Sequence, residues 1–323
     1  MKAIVQDRYG QTEVLAFEDI ERPVVGKDDV LVHVRAAAVD AGTVHLMTGR
    51  PLLMRVIGLG LRRPKVRVRG MDLAGVVEAV GANVTRFAPG DEVFGVADGS
   101  FAEYAVAPAS RLVPKPANVT FEQAAAVAIS GLTAMHALRA GEVRAGQSVL
   151  VIGAAGGVGT FTVQLAKAAG AEVAGVCSTT KLDVVRALGA TAVDYTREHF
   201  AGGRRYDLIV DIAGNRPLSV LRRALTPKGT LVLVGGEGGP VLDGLERLLR
   251  AFLLNLVVGQ RLRSIISVTR QPDLVELAGH LAAGTVAPVI DRTFALVEAP
   301  GAIRHVAGGH ARGKVVVNVS EQR

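Results

Sequence analysis

The spacing of apolar and polar positions divides the chain into two kinds of segment. VLVHV (30–34), DLAGVVEAV (72–80), EVFGV (92–96) and FAEYAV (101–106) are rich in β-branched residues or alternate with period two. Pro89-Gly90-Asp91 supplies a turn before the third run, so the pattern predicts a compact β-rich unit ending near Pro116. From about Phe121 the period changes to helical, in FEQAAAVAISGLTAMHAL (121–138). After Gly146, strand-like and helical runs alternate: SVLVIG (148–153), a helix over 158–169, EVAGVC (172–177), a helix over 181–188, DLIVDI (207–212), a helix over 218–225 and TLVLVG (230–235). That alternation predicts βαβ units, a parallel sheet and hence an α/β, doubly wound domain. The last part is mixed. Helical spacing covers 244–258, 273–282 and 299–306, a strand fits 264–268, and KVVVNV (314–319) is a closing strand able to return to the β-rich unit.

The first strand and helix of the alternating part are joined by Gly153-Ala154-Ala155-Gly156-Gly157-Val158-Gly159. Glycines at such a junction let the backbone turn tightly and approach a pyrophosphate. The helix start then offers free N–H groups and the positive end of its dipole. A packing turn alone would need one glycine. Ala155, Gly156, Gly157, Val158 and Gly159 are therefore candidate cofactor contacts. The next strand ends Val176-Cys177-Ser178-Thr179-Thr180-Lys181, without the carboxylate that usually accepts from a ribose 2′-hydroxyl of NAD. Hydroxyls and a lysine suit a 2′-phosphate. Ser178, Thr179 and Lys181 thus point to NADPH, while a solvated helix-start lysine is the plainer reading of Lys181.

Composition narrows the classes. With 323 residues, 49% hydrophobic and 21% charged, the chain is globular and long enough for two domains. The net charge of +7 favours anionic partners or reflects scattered arginine; the densest cluster is Arg62, Arg63, Lys65, Arg67 and Arg69. Four Tyr, nine Phe and no Trp do not interleave with that cluster, which argues against nucleic acid as a partner. The single cysteine, Cys177, excludes an intrachain disulfide and a multi-thiolate site and fits a reducing compartment. The first ten residues lack the apolar core of a signal peptide, and the apolar run at 251–258 is too short to cross a bilayer. The expectation is a cytoplasmic protein without membrane insertion.

VLVHVRAAAVD (30–40), GMDLAGVVEAVGANVTRFAPGDEVFG (70–95), GSFAEYAV (99–106), SGLTAMHAL (130–138), VLVIGAAGGVG (149–159) and GKVVV (313–317), in this order, resemble the medium-chain dehydrogenase/reductase superfamily. Within it, the chain is similar to the zinc-independent quinone oxidoreductase-like group. The resemblance covers essentially the whole chain. It implies a GroES-like catalytic domain from 1–120 and 268–323, a Rossmann cofactor-binding domain at 121–267, and a homodimer formed through edge strands of the cofactor domains. It also implies cofactor roles. Tyr195 matches a tyrosine beside the adenosine 2′-phosphate, or is a strand-end core aromatic. Thr133, Val234 and Gly235 match positions near the nicotinamide. Asn215 lies where the adenine side would pass, or is a turn asparagine.

Zinc-bearing relatives carry a Cys after the third strand and a Gly-His-Glu motif; this chain has Asp40 and Met71-Asp72 there. A catalytic zinc takes about three Cys, His or carboxylate ligands, so the expectation is no metal. A plain ketone or alcohol passes through an alkoxide-like species that a Lewis acid stabilises. A quinone or enone instead delocalises the incoming charge and needs positioning, donors and a proton. The segment Asp40-Ala41-Gly42-Thr43-Val44-His45 departs from the family's Asn-Pro stretch at Asp40, Ala41 and Thr43. His45 is a candidate proton donor or a loop histidine, histidine being the residue type whose reference pKa, about 6.5, lies near neutrality. Thr43 is a second candidate, and Asp40 either orients a ribose hydroxyl or caps the strand end. Residues 51–61, with Leu52, Leu53, Met54 and Ile57, form an apolar lid or a packed loop. The reading is an NADPH-dependent reductase that passes hydride to a quinone or α,β-unsaturated carbonyl compound without a metal. The alternatives are an NAD(P)-dependent alcohol dehydrogenase, or a cofactor-sensing or nucleic-acid-binding module using residues 62–69.

Overall fold

The computed structural model describes residues 1–198, 200, 203–235, 245–255 and 257–319. It contains two compact units: Met1–Leu132 with Val268–Arg323, and Thr133–Ser267. In chain order, the first unit opens with strands β1 (Lys2–Gln6), β2 (Leu15–Asp19) and β3 (Asp29–Val39). Helices α1 (Ala41–Thr48) and α2 (Leu52–Met54) precede β4 (Asp72–Val80), β5 (Glu92–Val96), β6 (Tyr104–Pro108) and β7 (Leu112–Pro114). Helices α3 (Phe121–Ala125) and α4 (Ala128–Gly141) lead to the second unit. That unit runs β8 (Ser148–Ile152), α5 (Gly157–Ala168), β9 (Glu172–Cys177), α6 (Leu182–Ala187), β10 (Thr191–Asp194) and β11 (Tyr206–Asp211). It continues with α7 (Leu218–Ala224), β12 (Leu225–Leu233), α8 (Leu245–Leu254) and β13 (Arg261–Ser264). The first unit closes with α9 (Gln271–Ala282), β14 (Ile290–Ala295), α10 (Ala299–Ala307) and β15 (Lys314–Asn318).

In the first unit β1 and β2 form an antiparallel ribbon, and a seven-stranded sheet follows the order β14-β15-β3-β4-β5-β7, with β6 also on β3. The inward set of β3, Val30, Val32 and Val34, is fully buried with Leu73, Val93 and Phe101. Period-two burial of branched side chains is what fixes a strand's register. The final strand β15 pairs antiparallel with β3, Val316 facing Ala38, so the end of the chain completes the sheet begun near its start.

In the second unit all six strands are parallel, in the order β10-β9-β8-β11-β12-β13. This is the doubly wound order that reverses direction beside its first strand, here β8, and leaves a crevice at the strands' carboxyl ends. Leu150, Ile152, Ile209, Leu231 and Leu221 fill its core. The sequence pattern indicated β8, β9, β11 and β12; it did not single out the short strand β10, whose TAVD lacks an apolar run. The helix expected over 121–138 is broken into α3 and α4.

That break has a cause in the first unit. Asp72, fully buried at the start of β4, accepts from Ile129 N at 2.8 Å in the first turn of α4 and from Lys314 Nζ at 3.1 Å. Lys314 Nζ also donates to Ser130 Oγ at 3.0 Å. A side chain from another segment therefore caps α4, and its first turn belongs to the first unit although the helix continues into the second. Burial pushes the Asp72 carboxyl up to about 6, against the opposing pull of Lys314; the Asp40 charge adds to the rise and the Ile129 N–H opposes it. Replacing one partner of a buried ion pair leaves the other uncompensated, at a cost of about 3–5 kcal/mol. Lys314→Met is expected to lose about that much stability at pH 8 in denaturant unfolding. Removing the ammonium raises the folded-state carboxyl pKa further, well above its unfolded value. The neutral acid then supports folding at low pH, and that support disappears as pH rises through the folded pKa. The deficit relative to wild type is therefore expected to widen above pH 6 and narrow below it, and Asp72→Asn in the same chain is expected to restore part of the loss.

Candidate functional site

In the second unit the glycine segment sits where β8 passes into α5. Gly153 has φ +87°, and the N–H groups of Gly153 and Ala154 both donate to Val176 O at 3.1 Å, pinning the turn to β9. Gly156 is the N-cap of α5 and no side chain caps that end, so the first-turn N–H groups are left for another acceptor. The two glycines of the turn serve different ends. A Cβ at Gly159 would lie 2.1 Å from Gly153 O, so helix and strand pack too closely for any side chain. A Cβ at Gly156 would meet nothing nearer than Gly153 O at 3.4 Å, and φ is −90°. The fold does not itself require glycine there, which leaves bare backbone facing whatever approaches the helix start. Ala155 is buried, and Gly157 and Val158 are half-buried.

At the end of β9, Ser178 Oγ lies 3.4 Å from Thr180 Oγ1. Thr179 Oγ1 donates to Asp194 Oδ2 at 2.6 Å and lies 3.0 Å from Thr196 Oγ1. Thr196 adds its own hydroxyl and N–H to Asp194 Oδ1 at 2.7 and 3.0 Å. These donors, with Thr179 foremost, hold the buried Asp194 carboxyl below the usual carboxylate range. The Thr179 hydroxyl therefore serves Asp194, and the hydroxyls open on this rim are those of Ser178 and Thr180. Lys181 ends the 3-10 turn Thr179–Lys181. Tyr195 is half exposed, with the Arg216 guanidinium 5.3 Å from its ring centroid.

Sequence reasoning missed Arg216, because it follows the strand DLIVDI in a loop outside the glycine fingerprint. It also missed Arg247. From α8, Arg247 pairs with the fully buried Asp211 at the end of β11, donates to Arg216 O at 3.0 Å and approaches Gly235 O at 3.5 Å. Val234 and Gly235 continue β12 beside β11, with Val234 N donating to Asp211 O at 3.0 Å. A Cβ at Gly235 would fall 2.1 Å from Ile212 O. Asn215 is exposed, and with Arg216, Arg247 and Arg250 it lines a cavity of about 750 Å³ in this unit. Thr133 is half-buried on α4.

In the first unit Asp40 is the N-cap of α1. Its Oδ1 accepts from Thr43 N at 2.9 Å and lies 3.5 Å from Thr43 Oγ1, and its buried Oδ2 has no hydrogen-bond partner. Thr43 is fully buried. His45 is exposed on the same helix; residues two apart do not share a helix face. The structure brings Asp40 and Thr43 together and sets His45 apart. Leu52, Leu53 and Val56 are exposed, while the side chains of Met54 and Ile57 and the loop 236–244 lie outside the described residues. The carboxylate of Asp72 is taken up by Ile129 and Lys314. Among the described residues no group of three or more His, Cys, Asp or Glu side chains is arranged to hold a metal ion.

Family profiles match both units. One described as an alcohol dehydrogenase GroES-like domain covers residues 26–117, and one described as a zinc-binding dehydrogenase covers residues 188–317. The mitochondrial NAD(P)H oxidoreductase RTN4IP1 of Mus musculus is 33% identical, over 99% of this chain and 89% of its own length. The chloroplastic NADPH-dependent alkenal/one oxidoreductase of Arabidopsis thaliana is 33% identical, over 98% of this chain and 79% of its own. The solved quinone oxidoreductase of Pseudomonas syringae pv. Tomato DC3000 superposes with a TM-score of 0.84 at 29% identity, covering 98% of this chain and 99% of that one.

The two glycines of the turn are expected to separate on substitution. Gly159→Ala must displace backbone and is expected to cost about 2–3 kcal/mol. Gly156→Ala is expected to stay within about 1 kcal/mol of wild type, the modest loss of glycine at an N-cap. Thermal unfolding of both variants checks the contrast.

Proposed function

The chain belongs to the medium-chain dehydrogenase/reductase superfamily, in its quinone oxidoreductase-like group, and from that premise we propose that it is an NADPH-dependent reductase of quinones or α,β-unsaturated carbonyl compounds that works without a metal ion. The observation that carries the cofactor reading is the uncapped start of α5 at the point where the parallel sheet reverses, with Gly156 bare although its Cβ would have room. Such a helix start accepts a diphosphate. Ala155, Gly156, Gly157, Val158 and Gly159 form that cradle. Ser178, Thr180, Lys181 and Tyr195, with Arg216 added, surround the 2′-phosphate. Thr179 stands behind them, keeping the Asp194 carboxylate hydrogen-bonded and turned from the phosphate. Thr133, Val234 and Gly235 hold the nicotinamide. When bound, the reduced nicotinamide supplies hydride.

The residues of the first unit do the rest. Asp40 fixes the start of α1 and orients the Thr43 hydroxyl, and His45 or a water molecule delivers the proton to the enolate or quinol oxyanion. Acceptors that spread the incoming charge over a conjugated system need no Lewis acid. The donor set fits that chemistry, because the one carboxylate next to Met71 is consumed by Lys314 and Ile129. The Arabidopsis relative's name, an NADPH-dependent alkenal/one oxidoreductase, supports the same class. We place the enzyme in the cytoplasm on its single buried thiol; among the described residues no helix is long and apolar enough to cross a membrane.

The proposal includes a homodimer through the second unit. β13 is the edge strand of its sheet, and Leu249, Phe252 and Leu253 on α8 and Ile266 after β13 are exposed. Apolar surface beside a sheet edge is a contact surface.

With NADPH and a panel of quinones and enones, turnover is expected, and a chelator is expected to leave it unchanged. Lys181→Ala is expected to raise the NADPH Kd about tenfold, the worth of a charge-assisted contact, with the NADH Kd little changed. Equal loss for both cofactors, or no turnover of any acceptor, would refute the reading. Gly156→Ala is expected to weaken NADPH binding while folding normally. Sedimentation velocity is expected to show a dimer that Phe252→Glu with Ile266→Glu converts to monomer.

A further inference from the structure

The basic cluster at 62–69 has no part in the reading above, and its members differ. Arg67 is answered: it donates to Asp7 at 2.6 Å and to Glu18 at 2.9 Å. Arg69 is not answered in that way. It is 4% exposed, Nη1 donates to Leu46 O at 3.3 Å, and its buried Nε has no hydrogen-bond partner. The carboxylate whose charge reaches it, Asp98, pairs instead with Arg111 at 3.7 Å. Burial lowers the guanidinium pKa to about 10, so it remains a cation at neutral pH. A buried cation without an anion is costly to the fold.

Arg69 lines a cavity of about 120 Å³ with Tyr9, Leu46, Lys65, Met71 and Asp98. A second cavity, of about 520 Å³, shares Lys65 and adds Arg62 and Arg63. The first adjoins α1: Leu46 follows His45, and the Met71 methyl group lies 2.8 Å from where a Cβ on Gly42 would stand. We propose that Arg69 holds the carboxylate of the acceptor, so that the preferred quinones or enones are monocarboxylates. The word acceptor rests on the reductase reading; the anion site does not.

With Nη1 engaged by Leu46 O, the rest of the guanidinium on the cavity wall is what a carboxylate meets, and a guanidinium favours two-point contact with it. Lys65, Arg62 and Arg63 make the approach positive and raise the local concentration of anions. Asp98 on the wall opposes a second negative group, which favours one carboxylate over a phosphate dianion.

The test pairs (E)-4-oxo-4-phenylbut-2-enoate with its methyl ester. The ratio of kcat/KM for acid over ester is compared in wild type, Arg69→Met and Arg69→Lys with NADPH, and calorimetry measures binding of acid and ester to each protein without NADPH. The ratio is expected to fall about tenfold or more in Arg69→Met, as for loss of a charged hydrogen bond, with Arg69→Lys between. Arg69→Met is expected to melt no lower than wild type, since it removes an unpaired buried charge. An acid-to-ester ratio within twofold of wild type in both variants overturns the proposal. So does calorimetry in which wild type binds acid and ester alike, a result that stands even if Arg69→Met does not fold. If neither compound is reduced but the acid binds through Arg69, the reductase reading fails and the carboxylate site remains. If the ester is reduced and the ratio is insensitive to Arg69, the reverse holds.

Discussion

Two opposite charges meet in the fully buried centre of the first unit, and the sheet, the helix that leaves it and the start of α1 are positioned around them. Asp72 and Lys314 lie 242 residues apart in sequence and 3.1 Å apart in space. Neither is tolerable there alone, because desolvation of an isolated charge costs more than any single packing contact returns. The pair therefore holds β4 against β15 through β3, where Ala38 is in register with both Asp72 and Val316. Asp40 begins α1 two residues beyond Ala38. The same carboxylate caps α4, which runs on into the second unit carrying Thr133. A carboxylate that would be a metal ligand in a different setting is here a structural fastener. Its two oxygens are occupied, and that occupancy decides what the neighbouring residues are free to do.

The second unit handles charge differently. Its strands end in carboxylates, Asp194 on β10 and Asp211 on β11, in the very crevice proposed for a polyanionic cofactor. Both are answered by the protein. Asp194 receives Thr179 and Thr196, and Asp211 receives Arg247 and the Gly214 N–H at 3.1 Å. The groups proposed to meet the cofactor are the uncapped start of α5, Lys181, and Arg216 beside Tyr195. Hydrogen bonds to an anion can thus be supplied by backbone and fixed cations without first overcoming like charge.

The fold was legible where periodicity was strong. β3, β4, β8, β9, β11 and β12 each carry a run of apolar residues long enough to declare a period, and the glycine segment falls at the one junction where it has a physical role. The family resemblance rested on the order of such pieces and not on any one of them. What escaped detection was short or nonlocal. β10 is four residues with two half-buried positions. The split between α3 and α4 depends on a side chain 57 positions earlier. Thr179 read as a free hydroxyl because Asp194 gives no local signal that it lies across β9. Arg67 and Arg69 looked alike in sequence, both within a basic run. Only their surroundings separate one paired at the surface from one buried with an unsatisfied donor.

The distribution of those unsatisfied donors and acceptors carries its own argument. Among the described residues, the buried side-chain polar atoms without a partner are Gln6 Oε1, Asp40 Oδ2, Arg69 Nε and Ser100 Oγ. All lie in the first unit, and backbone hydrogen bonds place three of them on adjoining segments: Gln6 N donates to Arg67 O at 2.8 Å, and Ser100 N to Gly70 O at 3.2 Å. The same core pairs Asp72, Lys314 and Ser130 with one another, so three exceptions on adjoining segments call for a reason besides stability. The contrast with the second unit follows the division of labour proposed for them. A cofactor common to many enzymes is met by backbone N–H groups that almost any sequence can present. An acceptor particular to this enzyme must be met by side chains, and side chains held ready in a buried site are costly to the fold until their ligand arrives.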